Sequence, residues 1–242
     1  MNAPVTAALV AALEPRAEDS VLDLAGGTGD LAQALSGRVA RVLTSDLSPA
    51  MVKAAVRRRI HGAEHRVLNL QALELADASF DAAVCRYGLM LVPDPALALR
   101  EIRRVLRPGG RLAFATWAPA KRNPWATAYG PVLVERGLME PPRPGEPGQF
   151  ALADETVIEP LVRASGFTEV VVSEIPIDYR PGGWEEYRRL VTNLGAGLRQ
   201  TLESLEPEAR AEIDAAARLR FERFRTPVGY LMPGLALVTS AR

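Results

Sequence analysis

Only one cysteine occurs in the 242 residues, Cys85, which excludes an intramolecular disulfide and a cysteine-ligated metal cluster. It stands in the apolar run FDAAVC and reads as a small buried hydrophobe. Histidine is equally scarce: His61 and His65 flank a short predicted strand and read as surface residues. With no His/Cys constellation, no metal site is expected. Net charge is absent too, because 29 Lys+Arg balance 29 Asp+Glu. That balance argues against a basic field for nucleic acid and a polybasic membrane anchor. Lysine is confined to Lys53 and Lys121, a bias of composition more than of function. No apolar run approaches the ~20 residues of a membrane span. The N-terminal MNAPVTAALVAALEP lacks a positive n-region and reads as an amphipathic helix, so no signal peptide is expected and the location is taken as cytoplasmic.

What is present fits a folded enzyme-sized chain. Apolar content of 48% and charged content of 24% are ordinary for a soluble globular protein, and the length suits one large domain. The most informative stretch is Val21 to Asp30, VLDLAGGTGD. An apolar run (Val21, Leu22, Leu24, Ala25) predicts a buried strand. Gly26, Gly27 and Gly29 then predict a tight turn, and Leu31, Ala32, Ala34 and Leu35 resume at helical spacing. A strand that ends in glycines and opens a helix lets backbone approach a ligand closely. Asp23 lies inside that strand, where a carboxylate needs donors. The N–H groups of the glycine turn or a cofactor are its expected partners.

The first two thirds of the chain alternate strand and helix, as a parallel α/β sheet requires. Strands are predicted at 21–25, 41–45 (ending on Asp46), 66–68 (ending on Asn69), 80–85 and 111–117. Helices are predicted at 50–59, behind the Ser48-Pro49 cap, and at 95–106. Leu106 to Gly110, LRPGG, reads as a structural turn with no chemistry. Residues 119–147 hold seven of the nineteen prolines, with a helix predicted over 125–136. A helix follows at 153–164 with Asp154 as N-cap, then a strand at 169–178. A long helical region broken by Pro207 spans 184–224, and a last strand covers 235–240.

Ala25, Gly27 and Gly29 fall at alternate positions in the pattern [D/E]-x-[G/A]-x-G-x-G. This resembles motif I of the class I S-adenosylmethionine (SAM) dependent methyltransferases. The string DLAGGTGDL is similar to the ubiquinone/menaquinone-biosynthesis C-methyltransferases of that superfamily. The resemblance extends over about half the chain, Val21 to Trp117. It implies a Rossmann-like α/β fold with a seven-stranded, mostly parallel sheet whose last strand is antiparallel. It further implies SAM as cofactor and S-adenosylhomocysteine as product.

Carried over residue by residue, the resemblance puts Asp46 on the ribose hydroxyls of SAM, where a carboxylate makes charge-assisted hydrogen bonds. Leu47 and Met51 become apolar walls for the adenine, although Met51 also suits a helix core. Asn69, where the family usually has Asp, would accept from the adenine amine. Its alternative is a turn residue. Leu70 would offer its N–H to the adenine ring. Backbone around Asp23, Ala25, Gly26 and Arg86 would complete the cofactor site, with carbonyls near Arg86 meeting the SAM amino group. Many relatives read LHH after the fourth strand, but this chain has Leu89, Met90 and Leu91, so no histidine base is available.

The expected architecture is one methyltransferase domain over 1–242. It comprises a SAM-binding core at 1–118 and a helical cap at 119–150 and 181–228 over the carboxyl edge of the sheet. Candidate acceptor-side residues are Tyr87, Trp117, Trp125, Tyr129, Trp184 and Tyr187, each of which also suits an ordinary core. The expected reaction is methyl transfer to O or C of a small, largely apolar acceptor, aromatic or polyketide-like, of the kind made in natural product biosynthesis. The rivals are a SAM-fold protein that catalyses another reaction such as cyclisation, a nicotinamide-dependent oxidoreductase and a binding module. The glycine spacing argues against the nicotinamide enzyme. Partners are expected to be a small-molecule acceptor and no nucleic acid or membrane, with the chain a monomer or homodimer.

Overall fold

The computed structural model describes residues 2–143, 145–194 and 196–242. Apolar strands joined by helices build the first part of the chain. In order these are α1 (Ala3–Leu13), β1 (Ser20–Leu24), α2 (Asp30–Leu35), β2 (Arg41–Asp46), α3 (Pro49–Arg57) and β3 (Ala63–Val67). β4 (Phe80–Arg86), α4 (Pro95–Val105) and β5 (Leu106–Trp117) follow. Then come α5 (Gly130–Glu135), α6 (Glu155–Ala164), β6 (Val171–Tyr179), α7 (Trp184–Leu194), α8 (Ala196–Glu203) and α9 (Pro207–Glu222). A small hairpin of β7 (Arg225–Thr226) and β8 (Gly229–Tyr230) precedes β9 (Met232–Ala241).

The seven-stranded sheet has the order β3-β2-β1-β4-β5-β9-β6. β1, β2, β3, β4 and β5 pair in parallel, and β9 is antiparallel to β5. The chain runs outward from β1 to β3 and then returns to the other side of β1 as β4. The carboxyl ends of β1 and β4 therefore meet at a topological switch point, where open α/β sheets bind ligands. β1 is buried along its whole length. On the opposite side, Arg111 binds the carbonyl of Leu13 and pairs with the buried Asp19, tying α1 and β1 to β5.

Several local expectations shift. β3 starts at Ala63 rather than Arg66, because an edge strand with exposed Glu64 and Arg66 lacks the apolar signature of an inner one. LRPGG lies inside β5 as an irregularity. The register jumps from Phe80↔Leu106 to Ala82↔Arg111, Gly109 is left-handed at φ 73°, and a Cβ on Gly110 would sit 2.9 Å from the Arg107 carbonyl. The helix expected over 125–136 divides into a 3₁₀ turn, Pro124–Ala126, and α5. The region 184–224 resolves into three helices, and Pro207 starts α9 in its first turn, where a missing N–H does no harm.

The chain divides into two compact units. The sheet unit comprises Asn2–Ala118, Gly145–Ile175 and Ala236–Arg242, and the helical unit comprises Pro119–Pro144 and Pro176–Leu235. The helical unit has its own core. The Asn123 amide pairs with the backbone of Leu235 in both directions, at 2.9 Å each, and also accepts the Trp125 indole N–H at 3.0 Å. Tyr129, Trp184, Tyr187, Phe221 and Tyr230 of the same unit pack on one another, with the ring centroids of contacting pairs 4.3–5.9 Å apart.

Candidate active site

The glycine turn is built from alternating left-handed residues. Ala25, Gly27 and Gly29 have φ of 50°, 56° and 88°, so the alternate spacing of the motif is a backbone requirement. Each position serves a different purpose. A Cβ on Gly27 would meet nothing within 4 Å, so this residue faces open space. A Cβ on Gly26 would lie 2.5 Å from both Asp23 Oδ2 and Thr44 Cγ2, so Gly26 is small because the turn lies directly on those side chains. Ala25 holds a left-handed backbone that disfavours L residues by ~1–2 kcal/mol. Its methyl fits only because residue 88 is glycine, where a Cβ would approach it to 2.4 Å. The sequence reading missed Gly88, whose only signal is its place directly after Arg86-Tyr87 at the end of β4.

Asp46, at the tip of β2, is locked to this turn. Its Oδ2 accepts the N–H of Gly27 at 3.0 Å, and its Oδ1 accepts the N–H of Ser48 at 2.9 Å. A carboxylate has about four acceptor positions, so two remain. Beside it Leu47 is 66% and Met51 44% exposed, an apolar surface left open at the head of α3. Met51 is therefore not a core residue of that helix. Asn69 behaves as a turn residue, with its Oδ1 accepting the N–H of Gln71 at 3.0 Å and its carbonyl the N–H of Ala72. One lone pair on that oxygen and the amide N–H groups are not used by the turn. Leu70 is buried.

Asp23 corrects the expectation made for it. The turn N–H groups go elsewhere: Gly26 donates to Ser45, Gly27 to Asp46 and Gly29 to Gly26. Neither carboxyl oxygen of Asp23 has a hydrogen bond of good geometry within the protein, although the side chain is fully buried. Burial pushes its pKa up to about 7, against the opposing field of Arg86 and the nearby Thr44 hydroxyl. Strand register aligns Asp23 with Thr44 and Thr44 with His65, making one cross-strand row beneath the turn. Thr44 Oγ1 and His65 Nδ1 are also buried without a partner. His65 is thus not the surface residue expected. It is half-buried, a Cβ on Gly29 would come within 3.9 Å of its ring, and burial holds its pKa below the usual histidine value. His61 is exposed.

At the end of β4, Arg86 bonds Thr6 Oγ1 at 2.6 Å and Asp30 at 3.0 Å, and Asp30 also pairs with Arg58 at 2.6 Å. The hydrogen bond to Thr6 and the two ion pairs of Asp30 tie α1, α2 and the end of α3 to the glycine-turn region. Tyr87 is left-handed at φ 64° and donates its N–H to the Ala115 carbonyl. Its ring stacks on Trp117 at 4.1 Å and 8°, and its buried hydroxyl has no partner within the protein. Burial raises its pKa, so the phenol stays protonated and is a donor rather than a base. Cys85 is buried, with its thiol pushed up to about 12, and is chemically quiet.

The other four aromatic candidates belong to the helical unit, and their contacts are those of a core. Trp125, Tyr129 and Tyr187 are buried, Tyr129 donates to Asp214 at 2.7 Å, and Tyr187 donates to the Trp125 carbonyl at 2.8 Å. Trp184 packs between Tyr129, Tyr187 and Phe221. Among the described residues no cluster of three or more His, Cys, Asp or Glu is placed to hold a metal, and no helix is long and apolar enough to cross a membrane.

Residues 22–114 match the family described as a methyltransferase domain. The ubiquinone/menaquinone biosynthesis C-methyltransferase UbiE of Klebsiella pneumoniae is 37% identical over 122 residues, covering 47% of this chain and 49% of that protein. The chain thus spans about half the length of the curated relatives it matches. Among solved structures, YcgJ of Bacillus subtilis superposes with a TM-score of 0.63 at 20% identity, covering 98% of this chain and 97% of that one. Phosphoethanolamine N-methyltransferase 2 of Haemonchus contortus, solved with S-adenosyl-L-methionine, gives 0.59 at 15% identity over 98% of this chain and 52% of that one. The resemblance read from the motifs therefore stands, and the fold is the Rossmann-like fold of the class I methyltransferases.

Proposed function

We propose that this chain, with its methyltransferase domain at 22–114, is a SAM-dependent enzyme that methylates O or C of a small, largely apolar acceptor, aromatic or polyketide-like. The observation that carries the proposal is Asp46. It is fixed against the Gly27 N–H with two acceptor positions spare, and exposed Leu47 and Met51 stand beside it. A diol and a flat apolar ring on adjoining parts of one molecule suit that surface, and the ribose and adenine of SAM have that form.

The remaining residues fit the same molecule. Open space in front of Gly27 admits close approach of a ligand to backbone. The unused lone pair of Asn69 faces an amine donor in this reading, and the backbone at Arg86 and Leu70 supplies further polar groups. Bound SAM would supply an electrophilic methyl on its sulfonium. Beside the glycine turn, Tyr87 is held protonated and Asp23 is buried beneath the turn, so in this reading neither serves as a base for the acceptor. The chain's contribution is then placement and exclusion of water, which supplies up to ~7–11 kcal/mol when alignment is good. An acceptor whose nucleophile is already prepared, such as a phenol or quinol, suits such a site. The curated relatives' quinone C-methylation is one member of that class, but the family match ends at residue 114, before the helical unit, where we place acceptor selection.

The test is calorimetry with SAM, S-adenosylhomocysteine and NAD, followed by an assay for S-adenosylhomocysteine formation on a panel of phenols, quinols and aromatic polyketides. SAM binding with turnover on some of the panel is expected. Binding of NAD in place of SAM would overturn the proposal. SAM binding with conversion of an acceptor but no S-adenosylhomocysteine would instead favour a cyclase-like reaction.

A further inference from the structure

A second polar site lies wholly within the helical unit. α7, α8 and α9 flank a half-open cavity of about 230 Å³ whose charged lining is Glu185, Arg188, Arg189, Arg199, Glu203 and Arg210. Four of these side chains are arginines and two are glutamates. Arg188 is partly neutralised, with one nitrogen 3.0 Å from Asp214 and another 3.7 Å from Glu185. Arg189, Arg199 and Arg210 have no ion-pair partner among the described residues. The lining therefore remains positive even after its own acids and Asp214 are counted.

The Nε–H groups of Arg188 and Arg210 are both buried without an acceptor within the protein. A buried donor left unmade is destabilising, more so on a charged group. Those two Nε atoms lie behind the cavity wall, so the groups that can reach a ligand are the terminal N–H groups of Arg210, Arg189 and Arg199, which no carboxylate among the described residues engages. Guanidinium groups match oxyanions in shape and charge, and they hold phosphate oxygens through paired N–H bonds.

We infer that this cavity binds the phosphate group of a small phosphorylated molecule, with Arg210 donating from the cavity wall and Arg189 and Arg199 closing over it. A phosphate monoester carries about −1.5 to −2 charge at neutral pH, which complements the excess of arginine. The volume is below the ~300–1,000 Å³ of sites for drug-sized molecules, which suits a phosphate with a short organic stem. The site owes nothing to the glycine turn and stands independently of the methyltransferase reading.

Inorganic phosphate is the probe, with succinate as the carboxylate comparison and chloride at matched ionic strength as reference. Calorimetry on the full chain is expected to show saturable phosphate binding, tighter than succinate, that persists without SAM. Arg210→Gln should weaken it by about tenfold or more. Arg199→Gln, at an exposed position that does not endanger folding, should weaken it several-fold. Both variants should keep the wild-type affinity for SAM. Phosphate binding no better than chloride, or undiminished in both variants, would overturn the site. Preferential binding of succinate would overturn its assignment to phosphate.

Discussion

The carboxylate of Asp46 accepts the backbone N–H of Gly27 at 3.0 Å, joining the tip of β2 to the apex of the glycine turn. One side chain thereby shapes the turn and, in the proposed function, receives the cofactor's ribose. Asp46→Ala removes both roles. SAM affinity is expected to fall by about 1.5–3 kcal/mol, the usual worth of hydrogen bonds to a charged group. Asp46→Asn keeps an acceptor for Gly27 and should lose less. Unchanged affinity by calorimetry in Asp46→Ala would remove this residue from the site.

Neighbouring glycines should respond differently. Gly27→Val puts a branched side chain into open space at φ 56°, so the protein should still fold, at a penalty of about 1–2 kcal/mol, and lose SAM binding. Gly26→Ala forces a methyl to within 2.5 Å of Asp23 and Thr44 and should destabilise by about 1–3 kcal/mol through overpacking. Thermal unfolding beside SAM titration separates the two. Equal effects on stability and binding in both variants would contradict the division of labour.

Asp23 gives the protein a pH signature. Its folded pKa, about 7, lies above the unfolded value of 3.8. Between those values the native state holds a proton that the unfolded state has released, so this group's contribution to stability declines as pH rises from about 4 to 7 and is level above that. Asp23→Asn should remove this slope and raise stability at pH 8 relative to wild type. Denaturant titrations across pH 4–8 measure it, and an unchanged slope would show that Asp23 is ionised in the fold.

The aromatic cluster of the helical unit is expected to behave as core. Trp125→Ala should destabilise by about 3–5 kcal/mol. Tyr187→Phe, which deletes the 2.8 Å bond to the Trp125 carbonyl, should cost about 0.5–1.5 kcal/mol. If Tyr187→Phe leaves the melting temperature unchanged but selectively impairs acceptor turnover, these rings line the acceptor site as the sequence reading allowed.

Much of this protein is legible along the chain because its signals are local. Apolar runs, the Ser48-Pro49 helix start and the alternate glycines each depend on residues a few positions apart. They specify the parallel sheet and the motif I turn at its switch point. What escaped the sequence depends on strand register and packing across long separations. Asp23, Thr44 and His65 become one cross-strand row only when β1, β2 and β3 pair. Gly88 is required only because β4 brings it against Ala25. The glycine turn's N–H groups were free to serve Asp23 until Ser45 and Asp46, some twenty residues on, took two of them. Whether an aromatic ring lines a site or fills a core is likewise undecided in one dimension. Trp125 and Tyr187 carry the same side chains in either role, and only the fold supplies the buried carbonyl and the neighbouring ring that they contact.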